Sequence, residues 1–121
     1  MGGDIIQNKN RLFMFWKIGQ SVFKKQDSCD NVVSKMSTRL SYVFGMSNTF
    51  SIGNVNYMKK FYCCFPNYID MLDKLSFEHY KLLVDISELN ERYFYFRVAL
   101  FCRSSVLELK ELINDEIYLF I

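Results

Sequence analysis

Apolar residues recur at helical spacing along most of the chain. Over residues 4–25, Leu12, Trp16, Gly19 and Phe23 fall 4, 3 and 4 apart, one stripe of a helix, with Arg11, Lys17, Lys24 and Lys25 on the other side. After a polar break at residues 26–30, Val33, Met36, Leu40 and Val43 repeat the pattern opposite Lys35, Ser37 and Arg39. Gly45 is placed to close that second helix as a left-handed cap. Residues 46–50 read as a short turn, after which Ser51 N-caps a third helix. That helix turns Val55, Met58, Tyr62 and Phe65 inward and Asn56, Lys59, Lys60 and Cys63 outward, and Pro66 stands where it must end.

The second half follows the same rule. Asp70 and Asp73 read as surface acids near a short helical turn. Ser76 opens a fourth helix with Phe77, Tyr80, Leu83 and Val84 inward, and His79 in its first turn reads as a capping or core-edge residue. A fifth helix, from Ser87 or Asn90 to about Phe101, has Tyr93, Phe94, Tyr95 and Phe96 in a row; a helix apolar all round belongs at the centre or against a partner. The sixth begins with the capping box Ser105 to Glu108 and carries Leu109, Leu112, Ile113, Ile117 and Phe120. The apolar residues 118–121 are expected to pack inside, meet a partner or mark a fragment of a longer protein. The pattern as a whole predicts an all-α, compact bundle of five to seven helices containing a helix-turn-helix-like pair, with residues 1–121 as one domain.

Composition supports this reading. In 121 residues there are one proline and five glycines, few places for a helix to break, and no Asn-Gly or Asp-Gly hairpin signal. Half the residues are apolar and 17% aromatic, enough for a core without disulfide or metal staples.

Charge adds an asymmetry. Residues 1–65 hold nine Lys or Arg against three acids, a net +6, while residues 66–121 hold six against ten, a net −4. The basic half is suited to a polyanion such as nucleic acid.

The inventory for catalysis is thin. His79 is the only histidine, and no nucleophile elbow, phosphate-binding loop or zinc-protease pattern occurs. The tripeptide Glu108-Leu109-Lys110 matches half of a metal-dependent nuclease signature but lies in a helix-periodic segment, where it reads as a solvated face. Cys29, Cys63, Cys64 and Cys102 form no CxxC pair, and the neighbours Cys63 and Cys64 would point about 100° apart on a helix, so reduced thiols are expected. No metal and no cofactor is expected. With no secretory signal and no membrane span in the pattern, the cytoplasm is the expected compartment.

Binding chemistry is better supplied. The second and third helices form a plausible helix-turn-helix pair. The third would read DNA: Ser51 opens it, Asn54 and Asn56 are the base-reading candidates, and Lys59 and Lys60, helped by Lys35 and Arg39 on the preceding helix, would hold phosphates. The competing expectation is a protein-interaction or dimerisation module built on Tyr95, Phe96, Ile117 and Phe120.

The order of residues also resembles a known family. Phe15, Trp16, Lys17, Ile18 and Gly19, the run Ser51, Ile52, Gly53, Asn54, Val55, Asn56, Tyr57, Met58, Lys59, Lys60, Phe61, Tyr62, and then Phe65 and Pro66 resemble the YhcG family N-terminal domain. So do Leu75, Ser76, Phe77, Glu78, His79 and Tyr80, with Phe77 where tryptophan is usual, and the stretch from Arg92 to Ala99. Where the family's last block reads Trp-Ser-Val-Arg-Glu-Leu, Ser104 and Leu107 replace its tryptophan and arginine. The resemblance implies a helical, DNA-binding module that precedes a PD-(D/E)XK nuclease-like domain. Hydrolysis is then expected only from a domain absent from this chain, the partners being DNA, that nuclease and a second copy in a homodimer.

Overall fold

The structure, a computed structural model, describes residues 2–25, 31–45 and 48–120, with side chains from residue 8 onward except that of residue 70. The polar break at residues 26–30, Cys29, and the chain-end residue Ile121 lie outside the described residues. The fold is all-α: six α-helices, and no strand among the described residues. The chain divides into two units, Met1–Tyr68 and Ile69–Ile121. No charged residue lies between positions 65 and 69, so the +6 and −4 halves of the sequence are the two units.

The first unit contains α1 (Gly2–Lys25), α2 (Val32–Phe44) and α3 (Ile52–Cys64), with a 3-10 turn at Asn48–Phe50. Helix α1 packs chiefly on α3. Leu12, Phe15, Trp16, Val22, Val55, Met58, Phe61 and Phe65 are buried, each large aliphatic or aromatic chain contributing about 1.5 to 3 kcal/mol. The crossing is close because Gly19 has no side chain: a Cβ there would run into the Met58 carbonyl oxygen. Beside it the Trp16 indole Nε1–H donates to the Phe65 carbonyl at 2.8 Å, a tertiary bond across 49 positions that also satisfies the end of α3.

Several stripes differ from expectation. Along α1 the contact runs 12, 15, 19, 22, so Val22 packs with Val32 and Val55 while Phe23 is 48% exposed. Helix α2 packs through Val32, Val33, Met36 and Ser37, not through Val43, which is 68% exposed. Ser37, expected outside, is buried because its hydroxyl donates to the Phe50 carbonyl at 2.6 Å and ties α2 to the turn before α3. In α3 the buried position is Phe61, and Tyr62 is half-buried. Gly45 ends α2 with its N–H on the Ser41 carbonyl and a positive φ of 103°, but with ψ at 178° it is not a left-handed helical cap. The flanking residues 46–47 lie outside the described residues.

The second unit contains a 3-10 turn (Asp70–Lys74), α4 (Phe77–Val84), α5 (Leu89–Phe101), α6 (Val106–Asn114) and a final 3-10 turn (Ile117–Phe120). Its core is Leu72, Leu75, Phe77, Tyr80, Leu83, Val84, Tyr95, Phe96, Ala99 and Leu109. The fully buried Tyr80 donates its hydroxyl to the Leu72 carbonyl at 2.7 Å. Both expected caps form. Ser76 and His79 make one capping box and Ser105 and Glu108 the other.

Helix α5 is capped by Glu88, one residue after Ser87 and two before Asn90, the two expected starts; its carboxylate accepts the Asn90 and Glu91 N–H groups at 3.0 and 2.7 Å. It is one-sided, not central: Tyr95, Phe96 and Ala99 are buried while Phe101 is 72% exposed. It ends in a Schellman motif, with Arg103 at φ 52° and the Ser104 N–H on the Ala99 carbonyl. Helix α6 stops at Asn114, and Glu116 at φ 54° separates it from the last turn, so Ile117 and Phe120 do not continue its stripe.

Candidate nucleic-acid interface

In the first unit the link from α2 to α3 is held by local hydrogen bonds that the sequence supplies. The Ser51 N–H donates to the Asn48 carbonyl at 3.1 Å, and the Ser51 hydroxyl accepts the Asn54 N–H at 3.2 Å, capping α3. The Asn54 side-chain Nδ2 donates to the same Asn48 carbonyl at 2.8 Å. Asn54 is therefore a brace between turn and helix, half-buried, and its NH₂ group is engaged inside the protein.

Asn56 and Lys60 are exposed and lie four apart, one turn of α3, so they share a face. The Lys60 ammonium also lies 5.2 Å from the centre of the Tyr57 ring. Lys59 is half-buried on the flank of α3 that meets Gly19. Its charge lowers the affinity of the Cys63 thiol for a proton, but desolvation acts more strongly and the thiol is pushed up from its ordinary value. On α2, Lys35 and Arg39 are exposed, also one turn apart, and with Asn31, Ser34 and Thr38 they line a shallow depression. No Asp or Glu occurs between Asp30 and Asp70, so neither helix carries a carboxylate.

The other expected positions fall differently. Tyr95 and Phe96 are spent on the core of the second unit, Ile117 is half-buried, and Phe120 is 81% exposed. Sequence reasoning passed over two exposed features. Phe13 and Phe23 of α1 are about half exposed beside α1 lysines. Met71, Tyr93, Arg97, Leu100 and Phe101 line an open groove on the second unit, and the spacing of 93, 97, 100 and 101 along α5 was the available signal.

Both ring nitrogens of His79 are engaged. Nδ1 accepts the Ser76 N–H at 3.1 Å, and Nε2, facing the Ser104 carbonyl at 2.9 Å, is the donor, since a carbonyl only accepts. Glu108 accepts the Ser105 N–H at 2.8 Å, and the hydrogen bonds from Ser105 hold its carboxyl below the usual carboxylate range. It serves as a cap. Among the described residues no three His, Cys, Asp or Glu side chains come together as metal ligands, and no helix is long and apolar enough to cross a membrane. Cys63 and Cys102 are exposed free thiols.

The model of the DUF1016 N-terminal domain, which is the YhcG N-terminal family, matches residues 5–119. No curated protein and no solved structure matches the chain.

Proposed function

The chain belongs to the YhcG N-terminal family, and from that premise we propose that it is a non-catalytic DNA-binding module acting for an associated nuclease. One observation carries the reading: the +6 charge of the sequence coincides with one folded unit, whose α2 and α3 together bear four bases and no acid. The two helices and the turn between them serve as a helix-turn-helix-like pair, with α3 presented to the duplex. Lys60, Lys35 and Arg39 contact phosphates, which supply most of the affinity, and Asn56 is positioned to pair with a base edge. Lys59 joins them by its charge. Ser51 and Asn54 act by holding the helix entrance in shape.

The test is the salt dependence of binding to a labelled duplex. Replacing Lys59 and Lys60 together by alanine should reduce the slope of log K against log salt by roughly one unit per lost phosphate contact. An unchanged slope removes the assignment.

A second reading, a protein-interaction or dimerisation module, is favoured by the open groove around Tyr93 and Phe101 and by the exposed Phe120. It predicts a mass that grows with concentration in sedimentation and returns to the monomer when Phe101 and Phe120 are both replaced by serine. A monomer at every concentration excludes the dimer.

A further inference from the structure

We propose that the first unit carries a second nucleic-acid contact, an aromatic and lysine ridge along α1 that stacks on unpaired bases, so that the preferred ligand is DNA with a single-stranded segment. The inference rests on the reading of this unit as DNA-binding and adds the strand state of the ligand.

The ridge is continuous. Tyr68 meets Phe13 edge to face at 5.2 Å, Phe13 lies nearly parallel to Trp16 at 6.2 Å and 17°, Trp16 meets Tyr62 at 5.3 Å, and Tyr62 meets Phe23 at 5.6 Å. Two of its rings stand open on α1: Phe13 is 45% exposed and Phe23 48%. They lie ten positions apart on α1, about 15 Å, which leaves room for a short run of bases between them.

Single exposed aromatics are ordinary. Two on one helix, joined through a chain of touching rings, form a platform whose orientation is fixed from beneath, so little rotamer freedom is lost when a base settles on it. The charge says which ligand fits. The Lys17 ammonium lies 5.9 Å from the Phe13 ring centre and 6.0 Å from that of Trp16, and the exposed Lys24 follows Phe23 directly. Protein interfaces deplete lysine at their centres, whereas single-strand binding surfaces combine ring faces for bases with cations for the backbone. A polyanion also suits a unit of net charge +6.

The experiment compares three fluorescein-labelled DNAs on the full chain: an oligothymidine, a blunt duplex, and that duplex with a single-stranded tail. The tailed duplex should bind about tenfold more tightly than the blunt one, and Phe13→Ala and Phe23→Ala should each weaken tailed and single-stranded binding about tenfold, with blunt binding unchanged. Phe13→Leu and Phe23→Leu keep the apolar packing while removing the ring face, and they should behave like the alanine variants with an unaltered thermal midpoint. Trp16, the chain's one tryptophan, should lose emission when oligothymidine is added.

Equal binding of tailed and blunt duplex, or leucine variants that bind all three DNAs as the parent does, overturns the ridge and leaves the α3 reading standing. A chain that binds none of the three overturns both. Leucine variants that change only the sedimentation behaviour assign the ridge to a protein partner and overturn it as well.

Discussion

The two units reach the same helical architecture by different means. In the acidic unit every helix has a side-chain cap, and the caps draw on its own charged and polar residues: Ser76 with His79, Glu88, and Ser105 with Glu108. Carboxylates are favoured at helix N-termini, so an acid-rich segment secures its helices locally. The basic unit has no acid for this work between Asp30 and Asp70. Asn31 makes no side-chain cap on α2, and α3 relies on the Ser51 hydroxyl. Its order comes from longer reach: the Gly19 crossing, the Trp16 bond to Phe65 and the Ser37 bond to Phe50. The unit whose α2 and α3 carry no carboxylate is thus the one that must be held by tertiary contacts.

The contrast breaks first at Gly19. Gly19→Ala sets a methyl group against the Met58 carbonyl in a backbone-to-backbone contact that cannot adjust like a side chain, and should destabilise the basic unit by about 3 kcal/mol. In native-state hydrogen exchange the amides of α1 and α3 should lose protection while those of α4 to α6 keep theirs; equal loss everywhere would mean the two units fold as one.

A smaller effect is expected at His79, which caps α4 and reaches the Ser104 carbonyl between α5 and α6. His79→Ala should cost the acidic unit about 1 to 2 kcal/mol in chemical denaturation, since a cap and a tertiary bond go together. His79→Gln, which retains an acceptor and a donor, should recover part of it.

The smallest belongs to Glu108. Its carboxyl is held low in the folded state by Ser105, so the unfolded chain binds its proton more readily. The contribution is complete above the ordinary glutamate range and disappears as pH falls through the lowered folded value. Glu108→Gln should flatten that acid limb of stability. A parallel shift of the whole curve would place the effect elsewhere than in ionisation.

How much of this could be read in advance depends on the range of the interaction. The caps Ser51, Ser76 with His79, and Ser105 with Glu108 each involve residues three apart, and all were legible. So was the inward set Phe77, Tyr80, Leu83 and Val84, because the short α4 buries one stripe. Phe23, Val43 and Ser37 were misread because helical period gives the apolar stripe but not which part of it a neighbour covers. Ser37 is buried by a carbonyl thirteen residues away. The Schellman turn at Arg103 carried no signal, since its left-handed position lacks the usual glycine.

At the proposed interface, the type and order of the candidate residues were in the sequence, but their availability was not. Asn54 and Asn56 look equivalent as letters two apart; only the folded turn gives the amide of Asn54 to Asn48 and leaves Asn56 exposed. The four-residue aromatic run of α5 looked like an interaction surface until two of its rings were found in the core. The sequence by itself determined the helices, their caps and the division of charge, since these depend on residues within a turn of one another or on composition alone. Tertiary structure decided which faces are covered, how closely α1 and α3 approach, and which polar groups are already engaged, since burial depends on contacts between residues far apart in the chain.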